Sequence, residues 1–133
     1  VAAIDASGAG GTSWTQVEMH RAQTEAQKRL AAAFINWGIP TSEAILNIRR
    51  AAPELLVFAS GGLRSGVDIA KCIALGAKLG GLAGPFLKAA TRSDDEVSNL
   101  IAELGLEIQI CMFAAGAADL HHLSQTKLIR IPD

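Results

Sequence analysis

The run Leu55-Leu-Val-Phe-Ala59 is apolar at every position, and Ser60-Gly-Gly-Leu-Arg-Ser-Gly66 follows it directly, leading into a stretch of helical spacing. A strand with one wet face alternates apolar and polar side chains, so a strand with no polar position needs cover on both faces. A doubly covered strand that passes through a glycine turn into a helix is the unit of a parallel sheet wrapped in helices.

The same order recurs on either side. Val1-Ala-Ala-Ile-Asp5 is a short apolar strand, Ala6-Ser-Gly-Ala-Gly-Gly-Thr-Ser13 a glycine-rich turn, and a helical stretch runs from about Trp14 to Leu30. Gly38 and Pro40 interrupt the pattern, Thr41 or Ser42 is placed to cap the next helix, and Pro53 ends that helix. A third, weak strand is expected at Leu79–Ala83, after a helix that ends at Gly76. The last long helix is expected from about Asp94 to Ala115, with Leu100, Ile101, Leu104, Ile108 and Met112 on one stripe, and the tail from Leu123 is expected to be irregular.

Strand–helix alternation predicts parallel pairing with right-handed crossovers. The fold class is therefore α/β. Three βα units cannot close an eight-stranded barrel, and residues 1–133 read as a partial TIM barrel with two open sheet edges and an apolar inner face. Such edges invite association unless another chain or segment covers them. Val1 begins inside an apolar strand with no initiator Met, so an upstream half of the barrel is expected as the missing partner.

Composition narrows the function. Half of the residues are apolar and 19% are charged, which supports a buried core rather than a disordered chain. The net charge is −1, from 12 basic and 13 acidic residues with no basic block, so no nucleic-acid partner is expected. No uninterrupted apolar run reaches the roughly 18 residues of a membrane span, and no membrane partner is expected. Cys72 and Cys111 lie far apart without ligand spacing and read as free thiols in a reducing compartment.

In a parallel barrel the reacting groups sit on the loops that follow the strands. Here those loops are rich in glycine, which lets backbone N–H groups approach an anion with no Cβ in the way. The turn at Gly61–Gly66 and the turn at Ala83–Pro85 are expected to grip one phosphate between them, each opening a helix whose N-terminus favours negative charge. Arg64 adds a charge-assisted contact. Asp68 is assigned a structural role at the helix start, paired with the helix dipole or with Arg64. Asp5 is the single acid at a strand end and is placed to anchor a loop. The hydroxyls of Ser7 and Thr12 are placed to meet a ligand's polar edge or to hold their own turn. Trp14 is assigned to packing. His20 is expected on a surface, and the adjacent His121 and His122 point apart and make a poor metal pair. No catalytic acid, base or metal ligand is identified.

Together, "AIDASGAGGTSW", "NWGIPT", "ASGGLRSGVDIAKCIALGA", "GLAGPFLKAA" and "CMFAAGAADL" resemble the C-terminal part of the type 2 isopentenyl-diphosphate isomerases. The resemblance implies strands 6 to 8 of an FMN-dependent TIM barrel that interconverts isopentenyl and dimethylallyl diphosphate. It also implies NADPH as the source of reduced FMN, a Mg2+ ion, a small diphosphate substrate, a cytoplasmic location and a homo-oligomer. By the same resemblance Ser7 and Thr12 contact the flavin after the sixth strand, Gly62, Leu63 and Arg64 after the seventh, and Ala83 and Gly84 after the eighth. The family's metal-binding and substrate-binding motifs lie on earlier strands and do not occur in these residues, so the piece alone is expected to be inactive. Two other readings stand beside it: an FMN-dependent 2-hydroxyacid oxidase, whose family places a His where "SGAGGTSW" has none, and a non-catalytic half-barrel that binds flavin or phosphate.

Overall fold

Val57 and Ala59 are completely buried, and they set the architecture. They belong to β2 (Leu56–Ala59), the middle strand of a three-stranded sheet completed by β1 (Ala3–Asp5) and β3 (Leu79–Gly80). Both pairings are parallel, with Ala3 opposite Leu56, Asp5 opposite Phe58, and Phe58 opposite Leu79. The computed structural model describes residues 1–129.

Among the described residues, seven helices connect and cover the strands: α1 (Trp14–Arg21), α2 (Glu25–Ala32), α3 (Thr41–Ala51), α4 (Gly66–Ala74), α5 (Gly84–Ala90), α6 (Asp94–Ala114) and α7 (Leu120–Leu123). One face of β2 packs on Ile45 of α3 and on Ile69, Ala70 and Ile73 of α4, with Leu104 of α6 and Leu123 of α7 closing the same core. Ile69 lies so close to Gly80 that a Cβ there would meet its side chain at 2.8 Å, which is why β3 carries glycine at that position. The other sheet face is open. Leu56 is 47% and Leu79 51% exposed, on the face that a full barrel would turn inward. The doubly apolar strand read from sequence is thus covered on one side by this chain's own helices.

Several boundaries differ from expectation for local reasons. The stretch from Trp14 to Leu30 is two helices, because Thr24 and Gln27 form a reciprocal capping box that starts a new helix at Glu25. Neither Thr41 nor Ser42 caps α3. Pro40 holds the cap position, α3 begins at Thr41, and the Thr41 hydroxyl instead donates to the Gly61 carbonyl at 2.7 Å. The third strand stops at Gly80, one residue before Gly81 N–H makes a last bond to the Ala59 carbonyl of β2 at 2.7 Å, and α5 begins at Gly84. On α6 the core stripe is Leu100, Leu104, Ile108 and Met112, while Ile101 points outward. Trp14 is 74% exposed, so it does not pack as assigned.

Helix α6 is 21 residues long with a mean hydropathy of 1.4 in its most apolar window, enough by length and composition to cross a membrane. The sequence reading counted uninterrupted apolar runs and passed over this window, which tolerates Glu103 and Glu107. Both acids lie mid-helix, and α6 packs along α4 and α5 in the manner of a helix on the outside of a sheet. Helix α7 ends at Leu123, and residues 124–129 beyond it form no helix or strand, as expected of the tail; residues 130–133 lie outside the described residues.

Helix α7 is held by Asp119, whose carboxylate accepts the His122 N–H and the His122 Nδ1 at 2.8 and 2.7 Å. These bonds, the backbone one foremost, pull the Asp119 carboxyl below its ordinary range. A carboxyl lowered in the folded state contributes stability above its unfolded value, about 3.9, and that contribution fades as the pH falls through the lowered folded value. The His122 amide is therefore expected to stay protected against hydrogen exchange at pH 5 and to lose that protection as acid titrates Asp119. An Asp119→Asn chain should show no such acid-dependent step.

Candidate functional site: three turns at the carboxyl end of the sheet

All three strands are parallel, so the turns that follow them gather at one end. The first turn is bound to the second. Ser60 donates its hydroxyl to both Asp5 carboxylate oxygens at 2.8 and 2.7 Å, and Ser7 N–H reaches Asp5 at 3.3 Å. Asp5 is thus the loop anchor that sequence reasoning allowed it to be. The glycines of the first turn then lie against those of the second: a Cβ on Gly11 would sit 3.0 Å from the Gly62 nitrogen, and one on Gly61 would sit 2.8 Å from the Gly8 nitrogen. Gly61 and Gly62 both have φ near +92°, a left-handed conformation that glycine adopts without strain. The third turn reaches the second at Gly81, where a Cβ would touch Ser60 at an ordinary 3.6 Å.

Backbone donors divide the second turn in two. In its later half the N–H groups of Arg64, Gly66 and Asp68 are taken by the protein. Arg64 N–H donates to Asp68 at 2.9 Å, Asp68 N–H to the Ser65 hydroxyl at 3.2 Å, and Gly66 N–H to the Glu107 carboxylate. In its earlier half no acceptor among the described residues is recorded for Gly62 or Leu63 N–H, and the same holds for Ala83 and Gly84 in the third turn. Open donors therefore occur at Gly62, Leu63, Ala83 and Gly84, while at the start of α4 the Gly66 and Asp68 N–H groups are already taken. Gly62 and Leu63 lie within the Gly61–Gly66 turn expected to grip a phosphate, and Ala83 and Gly84 within the Ala83–Pro85 turn.

Gly84 supplies a second indication. Nothing lies within 4 Å of where its Cβ would be, and its φ is not left-handed. Neither backbone strain nor packing within the chain requires glycine there, and the open space fits a cradle for an anionic group.

The residues singled out in the sequence are distributed as follows. Ser7 and Thr12 are exposed on the first turn, Ser7 at a left-handed φ of 27°. Leu63 is buried in the core, so only its backbone is open at the turn. The Arg64 side chain is exposed and makes no ion pair among the described residues, leaving its guanidinium available; its pairing with Asp68 runs through the backbone N–H. Asp68 has the structural role assigned to it. A cavity of about 780 Å³ lies on the outer side of the second turn, between Thr41, Leu46, Lys71 and Leu75. It shares Gly62 and Leu63 with the site but reaches neither Arg64 nor Gly84. Burial, then the nearby Asp68 carboxylate, raise the Cys72 thiol above its ordinary range, partly offset by Lys71, which keeps it an inert core residue. Both cysteines are free, and no cluster of three or more metal-ligating side chains occurs among the described residues. Sequence reasoning missed Glu107, which lies 41 residues from Gly66 and meets it only through the fold.

A parallel sheet whose glycine turns converge at the carboxyl ends of the strands is the ligand end of an α/β barrel, and these are three of its βα units. The chain belongs to the FMN-dependent dehydrogenase family, whose pattern matches residues 35–130. It is 48% identical over 126 residues to a protein of Nostoc sp. named isopentenyl-diphosphate delta-isomerase, a match that covers 95% of this chain and 36% of that relative. A Stutzerimonas stutzeri protein of the same name is 47% identical over 131 residues, covering 98% of this chain and 38% of the relative. The chain thus spans little more than a third of the length of these relatives. Among solved structures, a lactate oxidase of Pediococcus acidilactici superposes with a TM-score of 0.69 at 21% identity, over 81% of this chain and 34% of the other. A flavocytochrome b2 variant with benzoylformate superposes at 0.60 and 23% identity, over 92% and 42%. These two likenesses concern the fold.

Proposed function

We propose that this chain is the flavin-phosphate part of an isomerase that interconverts isopentenyl and dimethylallyl diphosphate. The observation that carries the reading is the 48% identity to the Nostoc protein across 95% of the chain, joined to donor groups left open at the strand ends. Within the proposal FMN is the cofactor. Its phosphate is held by the backbone of Gly62, Leu63, Ala83 and Gly84, with Arg64 adding a charge-assisted contact and Ser7 and Thr12 meeting the flavin's polar edge. Reduced FMN supplies the acid–base chemistry of an allylic proton shift, NADPH maintains its reduced state, and Mg2+ neutralises the substrate diphosphate. Substrate and metal groups come from the rest of the polypeptide. The enzyme is proposed to be a cytoplasmic homo-oligomer without membrane or nucleic-acid partners, in keeping with the balanced charge.

A 2-hydroxyacid oxidase is the weaker reading, because the turn after β1 contains no His to take a proton, and the likeness to lactate oxidase is one of fold. The test is to supply the whole polypeptide with FMN, NADPH, Mg2+ and isopentenyl diphosphate without oxygen. Dimethylallyl diphosphate is the expected product. Lactate or glycolate oxidation in a parallel assay with oxygen as acceptor, without isomerisation in the first, would overturn the proposal. Residues 1–133 alone are expected to give no product.

A further inference from the structure

We infer that Glu107 is a positioning residue for the phosphate turn, reaching across from α6 to fix the start of α4. The inference rests on the flavin reading above. Its carboxylate accepts the N–H of Gly66, the first residue of α4. Backbone geometry makes the contact intimate: a Cβ at Gly66 would overlap the Leu104 carbonyl and lie 2.7 Å from the Glu107 Cβ. Only a glycine lets α4 begin this close to α6. Leu104, one helical turn before Glu107, is buried in the same core as Ile69 and Ile73, so the carboxylate is mounted on a rigid part of the molecule.

Two carboxylates therefore serve one helix start. Asp68 holds the Arg64 N–H from within α4, and Glu107 holds the Gly66 N–H from outside it. Between them they fix both ends of the Arg64–Gly66 segment. With those donors occupied and two negative charges beside them, an incoming phosphate is turned away from the α4 N-terminus. It is left to the free donors just upstream, at Gly62 and Leu63. Glu107 thus acts without touching the cofactor, by fixing where the turn presents its N–H groups.

The experiment compares FMN with riboflavin, which lacks the phosphate, by calorimetric titration of the whole polypeptide. Glu107→Ala is expected to weaken FMN about tenfold while riboflavin stays within about twofold, the size of effect that loss of one charge-assisted hydrogen bond produces. In the flavin-free protein the same substitution should speed hydrogen exchange at the Gly66 amide. Glu107→Gln, whose amide oxygen accepts the same bond, should stay within about threefold of the parent for FMN. If Glu107→Ala does not fold, Glu107→Asp, one methylene too short to reach, takes its place with the same expectation. Equal losses of FMN and riboflavin would make Glu107 a packing residue and overturn the inference, as would undiminished FMN binding. A parent protein that binds neither flavin would overturn the flavin reading itself, and this inference with it.

Discussion

Replacing Gly62 by alanine is expected to prevent stable folding, or to lower the unfolding free energy by about 3 kcal/mol or more, at the upper end of what single substitutions do. Two effects add. The residue has φ of +92°, where any Cβ is strained by roughly 1–2 kcal/mol. The added methyl would also overlap the carbonyl of Gly10, with the Gly10 Cα only 2.8 Å away. Those atoms are backbone, so no rotamer change relieves the clash; the first turn would have to separate from the second. That separation would also pull on the Asp5–Ser60 bonds that tie the turns together. The check is the denaturant midpoint of the whole polypeptide, and a shift below about 1 kcal/mol would mean that the two turns are not packed as described.

How far the sequence revealed this arrangement depends on distance along the chain. The Leu55–Ala59 run announced a strand because no polar position interrupts it, and β2 occupies four of those five residues, with one face covered by this chain's helices. Glycine turns were legible for the same reason, as abrupt departures from apolar periodicity. The break between α1 and α2 was written in Thr24 and Gln27, but the surrounding Ala, Gln, Lys and Arg favour helix throughout and hid it. Thr41 reads as a cap by residue type, yet Pro40 before it pre-sets the helix entry and frees the Thr41 hydroxyl for Gly61. Ile101 follows Leu100 by about 100° around α6, which suffices to turn it out of the stripe. Glu107 was beyond reach. Its partner is a backbone N–H 41 residues earlier, and no residue type records that a backbone N–H will need an acceptor.

Gly84→Leu is expected to show the opposite separation: native stability, within about 0.5 kcal/mol, and FMN affinity reduced at least about a hundredfold. The chain itself gives no reason for glycine at this position. The φ is not left-handed, no atom lies within 4 Å of a Cβ placed there, and leucine is the better helix former at the start of α5. On the proposed flavin reading, what selects glycine lies in the space beside it, where Ala83 and Gly84 present N–H groups without protein acceptors among the described residues. A leucine side chain would fill that space and cover those donors. Gly62 and Gly84 then differ in kind: the first is glycine because protein backbone occupies the Cβ position, the second, on the proposed flavin reading, because a ligand does. Measuring the unfolding midpoint and the FMN dissociation constant on one Gly84→Leu sample decides the matter. Full FMN affinity at native stability would show that the turn after β3 does not hold the cofactor, and would remove Ala83 and Gly84 from the site.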